Sequence, residues 1–251
     1  MSRNFTTLAF AAITAMAATG AQAYTTFNGV DANGPEVVLA LTPQSTAAEN
    51  AFKANLVGTG TETFETQTTG AMAPLTLDFG LAGMATLSGG SGAVRANAVG
   101  LTNGVGRYSV PGGTKFWDVI AGGSATFTVT FSQSIAAFGF YGIDIGDFGG
   151  TLSLEFLDAA NNVINTLAVA TAPTGTANAS VLYFGALADS NAELFKSVRF
   201  LSTAGIGDVF AFDSFTIGSQ QQVVRVPEPG SLALVALGML GLGIAAKRRR
   251  A

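Results

Sequence analysis

Apolar and polar positions alternate along the second half of the chain in short runs broken by turn residues, the period of strands with one wet face. Ala125-Thr126-Phe127-Thr128-Val129-Thr130-Phe131 sets small or aromatic residues on one side and threonines on the other. Ala136 to Ile145 is more continuously apolar, as a strand buried on both faces would be. Asp147-Phe148-Gly149-Gly150 supplies turn chemistry before a strand at Thr151 to Leu157, and Asp158 to Asn162 supplies it again before Val163 to Val169. Further strands are predicted at Val181 to Phe184, Ser197 to Leu201 and Phe210 to Ile217. One helix is predicted upstream. Thr46 and Glu49 match a capping box, and Ala48, Phe52 and Leu56 then fall on one face, with Pro43 closing the preceding segment. Short strands, glycine-rich connections and no long intervening helices indicate an all-β, antiparallel, jelly-roll-like β-sandwich with one short N-terminal helix, occupying residues 24–218. The polar run Ser219-Gln220-Gln221-Gln222 opens a segment, 219–225, read as a linker that releases this domain.

The two ends have a different character. Arg3, the apolar stretch Leu8 to Ala18 and Ala21-Gln22-Ala23 follow the order of a secretory signal, residues 1–23, with cleavage before Tyr24. At the other end Val226-Pro227-Glu228-Pro229-Gly230 precedes the uncharged run Ser231 to Ala246 and then Lys247-Arg248-Arg249-Arg250. A helix over that run would span roughly 24 Å, a little short of a hydrocarbon core of about 30 Å, and snorkelling basic side chains cover part of the difference. The sequence therefore predicts a single C-terminal transmembrane helix with a cytoplasmic stop-transfer cluster at Lys247, Arg248, Arg249 and Arg250.

This arrangement resembles the PEP-CTERM sorting signal of Gram-negative bacteria: the tripeptide Pro227, Glu228, Pro229, a short Leu/Ala/Gly helix and a terminal arginine cluster, over residues 226–251. The resemblance implies recognition by an exosortase in the inner membrane, cleavage near the tripeptide, and release to the cell envelope, surface or extracellular matrix. It further implies an association with exopolysaccharide and biofilm. Two prolines hold the tripeptide extended, the form in which a protease binds a substrate strand.

Composition narrows the chemistry. The chain has no Cys and no His, which removes disulfides, thiolate nucleophiles, the usual serine triads and His-ligated zinc. Without Arg3 and the four basic tail residues, 7 of 12 Lys and Arg remain between the two end signals; without Glu228, 15 of 16 acids remain, a net charge near −8. Such an acidic domain has no basic footprint for nucleic acid.

Carboxylates and aromatics are what remain. Phe64-Glu65 early and Asp213 in the last strand resemble the pattern of carbohydrate-binding jelly rolls, and that resemblance implies a structural calcium shared by Glu65 and Asp213; ordinary exposed carboxylates are the other reading. Asp144 and Asp147, beside Tyr141 and Phe148, offer calcium ligands, contacts to sugar hydroxyls or a glycosidase pair, against the plainer reading of a turn. Trp117, with Arg107, Tyr108 and Asp118 near it in sequence, offers a sugar-stacking platform, although a lone Trp in a β domain is more often core. The resulting expectation is a non-catalytic, sorted envelope or matrix protein. A carbohydrate-binding module with structural calcium is the alternative, and a glycan-active enzyme ranks third.

Overall fold

The structure is a computed structural model, described here for residues 24–110, 112–122, 127–205 and 207–224. The signal segment, the tripeptide, the apolar run and the basic cluster lie outside the described residues. No helix among the described residues is long and apolar enough to cross a membrane.

Two antiparallel sheets face each other. With strands numbered in chain order, the first runs β1 (Tyr24–Asp31), β11 (Val181–Ala188), β8 (Ala137–Ile143), β13 (Val209–Gly218), β6 (Lys115–Ile120) and β5 (Gly92–Ala96), with β2 (Gly60–Glu62) also on β13. The second runs β10 (Val163–Val169), β9 (Leu152–Leu157), β12 (Phe195–Ser202), β7 (Phe127–Ile135), β4 (Met84–Gly89) and β3 (Leu75–Asp78). Within them β6-β13-β8-β11 faces β7-β12-β9-β10, the strand order of a jelly roll. All seven strands expected from Phe127 onward are present. The five before residue 100 and β6 were not foreseen, because short Gly- and Thr-rich segments such as β1 (YTTFNGVD) carry little alternation.

The interior between the sheets is aromatic. Phe127 stacks on Phe200 with ring centroids 4.2 Å apart, and Phe140 has Phe200, Phe212 and Phe184 within 5.8 Å. Trp117 is fully buried there and meets Phe127 edge-on. The expectation that Trp117 stacks on a ligand is therefore corrected: its β6 position points into the sandwich.

The helix α1 (Pro43–Lys53) lies on the outer face of the seven-stranded sheet, burying Phe52 against Tyr183 and Phe27. Gly139 of β8 and Gly185 of β11 are register partners beneath it, and a Cβ on either would come within 3.0 Å of the Phe52 ring. This slot explains why β8 and β11 are buried at every position and why their sequence is continuously apolar. The helix begins earlier than the capping box suggested. Thr42 is the N-cap and Pro43 fills the first turn, where a missing N–H costs nothing. The cap comes instead from β1: Asp31 accepts from the Gln44 and Ser45 amides at 2.9 and 2.8 Å and from the Ser45 hydroxyl at 2.6 Å. Glu49 turns to Lys53 and to the Tyr141 hydroxyl, which donates to it at 2.8 Å. Tyr141 is buried under α1 and has no face for a ligand, a second correction.

The segment after β13 is also not a free linker up to Val224. Gln220–Gln222 form a short 3-10 turn capped by Ser219 and Gln222, while Val57 donates to Gln222 O and Val224 to Asn55 O, each at 2.8 Å. Those backbone groups find partners at the end of α1, which outweighs the polarity of the glutamines.

Replacing Trp117 with Ala should lower unfolding free energy by about 3–5 kcal/mol, the range for a buried aromatic, as read by urea denaturation. A change below about 1 kcal/mol would place the ring at the surface instead.

Candidate functional site

Charged groups excluded from the two-sided core collect where loops leave the strand ends. The loop after β8 carries Asp144 and Asp147, the segment entering β13 carries Asp208, and the segment before β6 carries Arg107. Together with Glu36, Asn178 and Phe148 they line a cleft of about 460 Å³. A smaller hollow of about 210 Å³ shares its Phe148, Gly207 and Asp208 wall. A separate groove of about 280 Å³ between Val38–Thr42 and Asn97–Leu101 has no charged lining, so the chemistry lies in the acidic cleft.

Arg107 is the cation of the site. Its Nε stands 2.7 Å from Asp118 Oδ1 and its Nη1 3.5 Å from Asp144 Oδ2. Asp144 takes a left-handed backbone conformation, φ 64°, as β8 ends, and its Oδ1 accepts from the Ala179 amide at 2.9 Å. Burial raises the Asp144 carboxyl to about 7; the Ala179 amide and Arg107 oppose the rise and Asp147 adds to it. Burial likewise raises Asp208 to about 6, and the neighbouring charge of Asp147 raises it further, while the Val209 amide and Arg107 oppose the rise. Asp208 Oδ2 is buried and receives no donor among the described residues. Asp147 is itself raised, chiefly by burial, and caps its own turn by accepting from the Phe148 amide at 3.0 Å. The turn reading and the cleft reading of Asp144 and Asp147 thus coexist.

Phe148 is 76 % exposed, whereas the phenylalanines between the sheets are buried. It stands at the cleft mouth as a bare aromatic face beside carboxylates, an arrangement suited to a polar ring with an apolar side. The sequence pointed to Asp144, Asp147 and Phe148 but not to Asp208 or Glu36, and it grouped Arg107 with Trp117. One signal was legible: Ile145-Gly146-Asp147 recurs as Ile206-Gly207-Asp208, and both Asp residues of this repeat line the cleft.

Glu65 and Asp213 are also brought into one neighbourhood, around the loop that leads into β6. Glu65 accepts from the Thr114 amide and hydroxyl and the Lys115 amide, each at 2.7 Å. Against the upward push of burial, these bonds hold it below the ordinary carboxylate value. Asp213 accepts from the Ser109 hydroxyl at 2.6 Å, the Val110 amide at 2.9 Å and the Ser214 amide at 2.6 Å. Burial pushes Asp213 up to about 8 while those donors pull it down. A β-bulge at Ser214, φ 50°, turns Asp213 toward this loop. Protein donors engage these carboxylate oxygens, and in this arrangement the pair staples a loop. Among the described residues no group of three or more acidic side chains is placed to hold a metal ion.

Residues 225–250 match the family model of the PEP-CTERM protein-sorting motif. The chain carries a PEP-CTERM sorting signal. The motif implies processing by an exosortase and export to the cell envelope or surface. No curated protein matches the chain. Among solved structures it is similar to a DUF4465 family protein from Bacteroides caccae, at 9 % identity and TM-score 0.44, over 65 % of this chain and 100 % of that one. It is also similar to the K2 cleaved adhesin domain of Lys-gingipain (13 % identity, TM-score 0.39, 64 % and 97 % covered). A third is the C-terminal family 22 carbohydrate binding module of Clostridium thermocellum Xyn10B (13 %, TM-score 0.37, 66 % and 94 % covered). Likenesses at this level carry no functional argument.

The raised carboxyls set a sign for pH. Asp208 holds its proton more tightly folded than unfolded, so its contribution is full below the unfolded value near 4 and is lost as pH rises through about 6. Asp208→Asn should therefore stabilise the protein at pH 8, by about 1 kcal/mol because the open cleft screens part of the repulsion, and leave it unchanged near pH 4. Denaturant melts at the two pH values check this; equal shifts at both would mean that charge is not the cause.

Proposed function

We propose that this is an exported, exosortase-sorted, non-catalytic envelope or matrix protein whose sandwich binds polysaccharide in the cleft at Asp144, Asp147, Asp208 and Arg107. The observation that carries the reading is Phe148, an exposed aromatic at the mouth of a concavity with convergent polar groups. Carbohydrate rings have an apolar face that stacks on aromatics and a rim of hydroxyls that pair with carboxylates, guanidinium and amide groups. Arg107 and Asn178 donate in such an arrangement and the carboxylates accept. The cleft holds rather than cleaves in this reading: the chain lacks His and Cys, and Asp144 is engaged by Ala179 and Arg107. Ser231 to Ala246 anchors the precursor in the inner membrane until the exosortase cuts near Pro227-Glu228-Pro229, and the released domain joins exopolysaccharide at the surface or in a biofilm.

A polysaccharide panel tests the binding. Phe148→Ala should weaken retention at least about tenfold, the worth of one well-buried aromatic contact, while Trp117→Phe, a change in the core, should not. Absence of binding to every polysaccharide, or binding indifferent to Phe148→Ala, would refute the site. Replacing Pro227, Glu228 and Pro229 by alanine should leave the full-length chain in the inner membrane, as read by fractionation and immunoblot. Continued appearance of a shortened product at the surface would break the sorting assignment.

A further inference from the structure

The cleft is a pocket for a cation that brings its own hydrogens, and from this we infer that the glycan it takes is one with free amino groups, a glucosamine-type polymer rather than a fully N-acetylated, neutral or acidic one. The inference rests on the glycan-binding reading above and deepens it. Asp147 and Asp208 line the same cleft, where Asp147 raises the Asp208 carboxyl, and Asp208, 5 % exposed, has an Oδ2 that receives no donor among the described residues. Two adjacent carboxylates of this kind need a proton or a cation. Arg107 lowers both carboxyls only through its charge, because its Nε is paired with Asp118 and its Nη1 turns to Asp144.

A singly charged ammonium fits what is left better than a metal ion. It donates up to three hydrogen bonds to oxygens at ordinary spacing and does not require six to eight ligands. Phe148 decides which ammonium. The ring is exposed on the wall that also holds Asp208. An amino sugar that lays its apolar face on Phe148 brings its equatorial substituents to that wall, so one residue satisfies the platform and the acids together. A lysine side chain or a small polyamine would meet the acids and leave the platform bare. An anionic polysaccharide would face Glu36, Asp144, Asp147 and Asp208 with only Arg107 to oppose them.

The test compares the full chain, solubilised in mild detergent, on four probes near neutral pH: glucosamine hexasaccharide, its N-acetylated counterpart, a neutral glucan and a lysine hexapeptide. The glucosamine oligomer should bind at least about tenfold more tightly than the N-acetylated one, the worth of one charge-assisted hydrogen bond. Asp208→Asn or Asp147→Asn should bring that ratio to about one, whereas Asp189→Asn, which removes an exposed carboxylate outside the cleft, should preserve it. Equal binding of acetylated and free amino forms, in a protein that still depends on Phe148, overturns the amino-sugar inference and leaves the glycan-binding reading standing. Lysine hexapeptide binding as tight as the glucosamine oligomer overturns it as well, by showing simple cation attraction. No binding to any of the sugars overturns both.

Discussion

The central strands β11, β8 and β13 of the seven-stranded sheet are dry on both faces, and that constraint organises the rest of the molecule. On one side Phe140 and its aromatic neighbours fill the space against the second sheet; on the other, Phe52 sits in the slot above Gly139 and Gly185. A strand desolvated on two sides cannot carry a charge without a partner, since an uncompensated buried ion costs several kcal/mol. Acidic side chains within the strands of this sheet, such as Asp118 and Asp213, are therefore tied down by protein partners, and others lie at strand ends and loops, some of them facing a cleft.

Both outcomes occur. Asp31, Glu65 and Asp213 accept from amides and hydroxyls of segments distant in sequence, and each holds a helix start or a loop in place. These bonds stand in for the disulfides that a Cys-free exported domain lacks. Asp147 accepts only from the neighbouring Phe148 amide among the hydrogen bonds of described residues, and Asp208 Oδ2 receives no donor there. Burial holds both carboxyls at raised values, with Glu36 adding to Asp147 and Asp147 to Asp208, which makes the same place a weakness for stability and an opportunity for a ligand.

The clamp at the end of the domain ties the fold to the sorting signal. Val224 is bonded to Asn55, and Arg225 and Val226 alone stand between it and Pro227. The polar composition of the glutamine run suggested a spacer; its backbone instead completes hydrogen bonds that the helix end leaves open.

Local chemistry is what the sequence determined by itself: the order of basic, apolar and small residues at the start, the tripeptide and basic cluster at the end, and the strands from Phe127 onward, whose alternation is written in adjacent positions. It also pointed to Asp144, Asp147 and Phe148 as a group, because they are neighbours in the chain. Only the tertiary structure decided that Trp117 and Tyr141 are interior, that Asp31 rather than Thr46 caps α1, and that Asp208 and Arg107 join the cleft. Those facts depend on which strands pair and in what register, and a residue's burial or partner is set by chain segments far away in sequence. Periodicity tells a side chain which face it takes; the opposite sheet, absent from any local window, decides whether that face meets a core, a donor or open water.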